Sequence, residues 1–157
     1  MKHRWSAAYA ALFLGLCWLC WPRTYLEIRS DDQALHCFIA AQNFSLQWRH
    51  SVEKTLWQED YQVQAQHLQH THTRIEGFGA GVPAHLTVVK QTPQYIEFRV
   101  QQTLPELNWV VSSNIQAQII IAQHQWPIYQ NVADYQTILI RPRHLLRWQT
   151  WQQGACL

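Results

Sequence analysis

The chain has 157 residues, one domain's worth at about 100–200 residues per domain, which excludes separate cofactor and substrate domains. Charged residues make up 14% against the usual ~25%, and 48% of the chain is hydrophobic, which excludes a disordered chain. The net charge of +2 has no basic stripe behind it, so no nucleic-acid partner is expected.

The first element is an apolar segment. Lys2, His3 and Arg4 precede an almost uncharged run over residues 5–21, closed by Pro22 and Arg23. Basic then apolar is the order of a secretory signal or a signal anchor. As a helix at ~1.5 Å per residue the run is about 25 Å long, short of a ~30 Å hydrocarbon core. Trp5, Trp18 and Trp21 suit the headgroup belts that would make up the difference. Small residues are missing from the cleavage positions around Cys17-Trp18-Leu19-Cys20-Trp21, so an uncleaved anchor is favoured over a cleaved signal. Lys2 and Arg4 keep the N-terminus cytoplasmic by the positive-inside rule. Residues 1–23 are therefore read as a signal anchor or uncleaved signal sequence, and residues 24–157 as an extracytoplasmic domain. That makes a single-pass inner-membrane protein with its body in the periplasm. Cys17 and Cys20 sit in the apolar run as small hydrophobes. Cys37 and Cys156 can form one bridge in an oxidising compartment, and sequence alone leaves that pairing open.

The remainder reads as strands. Residues 25–29 and 34–39 flank a Ser30-Asp31-Asp32 turn. From Asn43, Phe44, Leu46 and Trp48 alternate with Ser45, Gln47 and Arg49. Alternation returns at Tyr61, Val63 and Ala65, at Ile96, Phe98 and Val100, and at Ile115, Ala117, Ile119 and Ile121. A strand around Leu139 is expected to end at Arg141-Pro142, and residues 126–135 to hold a short helical turn. The expected fold is all-β: an antiparallel sandwich or small barrel, preceded by one N-terminal apolar helix.

Between two of these strands lies a polar stretch, His50-Ser51-Val52-Glu53-Lys54-Thr55, followed by Glu59 and Tyr61. Some twenty residues on comes Phe78-Gly79-Ala80-Gly81-Val82-Pro83. The pair resembles the bacterial domain of unknown function family 1850, whose members carry H-S-V-E-x-T-x-x-x-E-x-Y and then F-G-A-G-[LV]-P. Leu56-Trp57 departs from the proline-containing form usual after the threonine. The resemblance spans about residues 25–147. It implies a small exported or membrane-anchored protein associated with tripartite ATP-independent periplasmic solute transporters, with no catalytic residues supplied.

Read chemically, His50, Ser51 and Glu53 offer a base, a hydroxyl and a carboxylate. Adjacent strand residues point to opposite faces, so His50 and Ser51 do not pair as base and nucleophile, and there is no G-x-S-x-G elbow. No enzyme activity is expected. The glycine loop lacks the lysine of a phosphate cradle. His67, His70 and His72 invite a metal reading; on a regular strand His70 and His72 share a face, but a third ligand must come from elsewhere, with His85 and His124 as candidates that sequence does not place. No metal site and no cofactor are assigned. The candidate binding or partner surface is His50, Ser51, Glu53, Thr55, Glu59, Tyr61, Gly79, Gly81 and Pro83. The expected function is a membrane-anchored accessory or interaction module touching the transporter's membrane subunit or its solute-binding subunit. The alternative is a stand-alone small-molecule or metal-binding β domain.

Overall fold

A computed structural model describes residues 2–77, 86–151 and 156. In chain order the elements are helix α1 (Lys2–Leu19), then β1 (Pro22–Ser30), β2 (His36–Ile39), β3 (Asn43–Arg49), β4 (Leu56–Val63) and β5 (Leu68–Glu76). There follow β6 (Thr87–Gln91), β7 (Tyr95–Leu104), β8 (Leu107–Val110), β9 (Gln118–Ile121) and β10 (His124–Trp126). A 3-10 turn (Ile128–Gln130), β11 (Thr137–Leu146) and a short helix α2 (Arg147–Trp151) close the fold. The strands form two open antiparallel sheets, ordered β2-β1-β11-β8 and β10-β9-β3-β4-β5-β7-β6. This is a sandwich; neither sheet closes on itself, so the barrel alternative falls away.

The alternating residues of β3 and β9 face the space between the sheets, whereas Ala65 is exposed beyond the end of β4. Phe44 and Leu46 of β3 and Ile119 and Ile121 of β9 meet Leu26 and Ile28 of β1 and Ile138 and Ile140 of β11 in one buried cluster. Each fully buried Leu or Ile contributes about 1.5–3 kcal/mol. A smaller cluster, Ile75, Ile96 and Phe98 with Trp57, lies on strands β4, β5 and β7 of the larger sheet, and Leu86, just before β6, packs against it. Trp48 of β3 stands 6.0 Å from Trp109 of β8, ring centroid to centroid, and so bridges the sheets.

Several expectations shift: β9 begins at Gln118, leaving Ile115 in a turn and Ala117 before the strand, and β4 ends at Val63, short of Ala65. Strand β11 runs through Pro142 to Leu146 instead of stopping at Arg141. Its pairing with β8 ends at Ile140, so Pro142 meets only β1, and its missing N–H costs no ladder bond on the open side. Strand β4 begins at Leu56, five positions before the alternation becomes visible at Tyr61. The helical turn expected in residues 126–135 is the 3-10 turn.

Cys37 of β2 and Cys156 are joined by a disulfide, with their Cα atoms 5.0 Å apart. Helix α1 forms over the expected apolar run, and Tyr9, Leu12, Phe13, Leu14, Leu16 and Trp18 are all exposed. Leu12, Phe13 and Leu14 point in three directions, about 100° apart, so the apolar surface surrounds the helix. The basic residues Lys2, His3 and Arg4 take up its first turn. Among the described residues no helix is long and apolar enough to cross a membrane. At the base of α1, the Arg147 guanidinium of α2 sits 4.1 Å from the centroid of the Trp18 ring.

Candidate functional site

The polar stretch is the tip of the β3–β4 hairpin, whose strands pair from Asn43↔Gln62 to Arg49↔Leu56. The turn closes on itself. The His50 amide donates to the Thr55 carbonyl at 2.8 Å, and the Lys54 amide donates to the His50 carbonyl at 2.9 Å. Lys54 takes a left-handed backbone, φ 59°. The Glu53 amide donates to Nδ1 of His50 at 3.2 Å. With Nδ1 accepting, the neutral ring carries its proton on Nε2. The same ring stacks on Trp57 at 5.3 Å, and Trp57 stands 6.1 Å from Trp48. His50 is thus held by its own turn and by an aromatic ladder that continues into the core.

The neighbouring loop braces the tip. Lys54 Nζ donates to Asn114 Oδ1 at 3.1 Å, Arg49 Nε donates to Gln116 Oε1 at 3.1 Å, and Arg49 also donates to the Lys54 carbonyl at 3.2 Å. Thr55 Oγ1 accepts from the Trp57 indole at 3.3 Å. What remains turned outward is Ser51, Lys54 and above all Val52, which is 80% exposed, with Glu53 half-buried beside them. An apolar side chain at the apex of a turn closed by three backbone amide bonds makes a pre-ordered contact point.

Glu59 and Tyr61 lie on the other side of this strand. Tyr61 is buried, stacked between Phe44 at 5.1 Å and His70 at 4.7 Å, and its hydroxyl donates to Glu59 Oε2 at 2.6 Å. Burial pushes the Tyr61 phenol far up, and the adjacent Glu59 charge and its hydrogen bond push it the same way. It stays protonated and remains the donor. His70 Nε2 lies 3.1 Å from the His72 carbonyl and 3.0 Å from Thr73 Oγ1. A carbonyl only accepts, so Nε2 carries the proton. Tyr61, His70 and Thr73 therefore sit inside the sandwich, joined by stacking and the His70–Thr73 hydrogen bond, with half-buried Glu59 bonded to the Tyr61 hydroxyl.

The second motif begins where the first ends. Gly77 has φ +78°, a conformation that favours glycine. A Cβ placed there would lie 3.7 Å from Thr55 Cγ2, and Glu76 Oε2 accepts from the Leu56 amide at 3.2 Å. The entry to the glycine loop thus abuts the hairpin. Gly79, Gly81 and Pro83 themselves, with His85, lie outside the described residues.

The histidine reading needs correction. Register shifts occur between Asp60 and Tyr61 on the β4–β5 ladder and between His70 and His72 on the β5–β7 ladder. A bulge breaks the two-residue period. His70 turns inward against Tyr61, while His72 pairs with Asp60 on the outer face. There Asp60, His72 and Glu97 bring one ligand atom each to within 4.8 Å of one another. Sequence reading missed this set because Asp60 and Glu97 come from different strands, β4 and β7, and only sheet register joins them to His72.

The fold and hairpin define a class: an antiparallel β-sandwich with a polar β3–β4 hairpin turn and one N-terminal helix. A family model described as domain of unknown function (DUF1850) matches residues 44–128, and the chain belongs to that family. The matched stretch holds all seven strands of the larger sheet, whereas β1, β2 and β11 of the smaller sheet lie outside it. No curated protein and no solved structure matches the chain.

Proposed function

We propose that this protein is an accessory module of a tripartite ATP-independent periplasmic solute transporter, tethered by α1 at the outer side of the inner membrane. The observation that carries the tether is the exposed apolar surface all round α1. Surface of that kind marks a membrane or partner contact. The Cys37–Cys156 bridge supports the extracytoplasmic placement, because such bonds persist in oxidising compartments. The transporter itself is inferred from the family resemblance. The hairpin tip is the docking element, offering Val52 between Ser51, Glu53 and Lys54 to the membrane subunit or the solute-binding subunit. The module binds and positions; it performs no chemistry.

Affinity capture of the full chain from solubilised membranes tests the reading. The chain should pellet with membranes at its full-length mass and co-purify with a transporter subunit. A soluble form beginning after residue 20 would remove the tether, and capture free of every transporter subunit would remove the accessory role.

A further inference from the structure

The outer face of strands β4, β5 and β7 carries an arrangement that the hairpin does not use. Asp60 of β4 sits opposite His72 of β5, and Glu97 of β7 sits opposite Arg74, one pleat along from His72. The bulges flanking Asp60 and His72 bring the imidazole to this face; in regular register it would share the interior with His70. Bulges commonly re-aim a side chain in this way at functional positions. Two carboxylates and one imidazole thus converge, half-buried, with their ligand atoms within 4.8 Å.

The surroundings orient the carboxylates without neutralising both. Asp60 Oδ1 accepts from Ser45 Oγ at 2.6 Å and from Gln58 Nε2 at 2.8 Å, both neutral donors. Among the described residues Asp60 meets no cationic side chain, while Glu97 has Arg74 at 3.5 Å. Immobilised neutral donors behind a carboxylate are what fixes a metal ligand. Of the three, His72 also lines a groove of about 440 Å³ together with Thr71, Gln69 and Arg99.

We infer that Asp60, His72 and Glu97 form a site for a divalent first-row metal ion of the Zn²⁺ or Mn²⁺ class, with His72 at the edge of the Arg99 groove. The donor set selects the class. An imidazole disfavours Ca²⁺ and Mg²⁺, and two carboxylates disfavour soft Cu(I). Three protein ligands leave at least one position for water or for an anionic solute group. In a tetrahedral site with bonds of ~2.1 Å the ligand atoms stand roughly 3.4 Å apart, so side-chain rotation of about an ångström closes the site.

The test uses the full chain in detergent micelles. Mn²⁺ is titrated by electron paramagnetic resonance, and Zn²⁺ by competition with a chromophoric chelator. The expected result is one ion per chain. Asp60→Asn, His72→Ala and Glu97→Gln should each weaken binding at least tenfold, and His124→Ala on β10 should leave it unchanged. A direct reading on the wild-type chain covers any variant that fails to fold: bound Mn²⁺ should broaden the His72 ring resonances before those of His50 or His124. Absence of saturable binding, equal binding by all three variants, or broadening centred on another histidine would overturn the site.

Discussion

Breaking the Cys37–Cys156 bridge should destabilise the sandwich by several kcal/mol. The bonded residues are 119 positions apart, so the bridge closes a loop that encompasses nearly the whole β domain. The chain-entropy relation gives about 5 kcal/mol for a loop of that length, and typical measured values are ~2–4 kcal/mol. Unfolding entropy near 2.1 cal/mol/K per residue over ~130 residues is roughly 0.27 kcal/mol/K. A loss of 3–5 kcal/mol then lowers the melting temperature by roughly 10–18 °C. Cys156→Ser is the cleaner perturbation, because Cys37 is buried in the core and a hydroxyl there would add its own penalty. Thermal melting and urea unfolding should be compared for the oxidised chain, the reduced chain and Cys156→Ser. The urea slope should rise once the bridge is gone, since the unfolded chain then exposes more surface. Midpoints within about 2 °C of one another, with unchanged slopes, would refute the argument that the bridge restrains the unfolded chain.

Burial raises the Glu27 carboxyl, but hydrogen bonds from Arg141 and His36 and the charges of Arg141 and Arg143 outweigh it, leaving it below its ordinary value of 4.5. Its contribution is therefore complete above that value and lost as pH falls through the lower folded value; unfolding free energies of wild type and Glu27→Gln from urea titration should differ at pH 7 by about 1–3 kcal/mol and converge as the pH falls below the folded value. Tyr61→Phe should cost about 1–3 kcal/mol by removing the hydrogen bond to the half-buried Glu59 carboxylate, read by thermal melting; a neutral result would show that Glu59 finds water. His50→Ala should cost about 1 kcal/mol through the lost turn bond and Trp57 stacking, whereas Glu53→Ala should stay within ~0.5 kcal/mol; reversed magnitudes in urea unfolding would reverse the roles assigned to the two. Val52→Asp should leave the melting temperature unchanged and abolish capture of the transporter subunit, because Val52 touches solvent in the isolated chain.

Much of the architecture was legible where one strand's own pattern is enough. The alternations at Phe44-Leu46-Trp48 and Ile96-Phe98 identify β3 and β7 and their buried faces, because a half-covered strand must place apolar residues at every second position. The hairpin could be placed at His50–Thr55 for the same reason: two alternating stretches flank a polar one. Strand β5 was not legible. Leu68–Glu76 mixes histidine, threonine and arginine, and its inward residues include polar His70 and Thr73, satisfied by a network that only folding assembles. Strand β6 was missed because all five of its residues are exposed at a sheet edge, which leaves no two-sided pattern.

The division at the candidate sites follows the same physics. Sequence by itself marked the region from His50 to Tyr61 as special; the expectation that His50 and Ser51 diverge rested on a continued strand, whereas strand β3 ends at Arg49 and both residues lie in the turn. Only the tertiary structure decided which of those residues face outward. Ser51, Val52 and Lys54 do, whereas Tyr61 is inside with Glu59 turned toward it. It also decided that His70 and His72 part company. Period-two reasoning assumes an unbroken ladder, and a bulge is a property of two strands in register, written in neither one alone. The meeting of Asp60, His72 and Glu97 belongs to that level, because contact between residues on three strands is set by non-local pairing rather than by spacing along the chain.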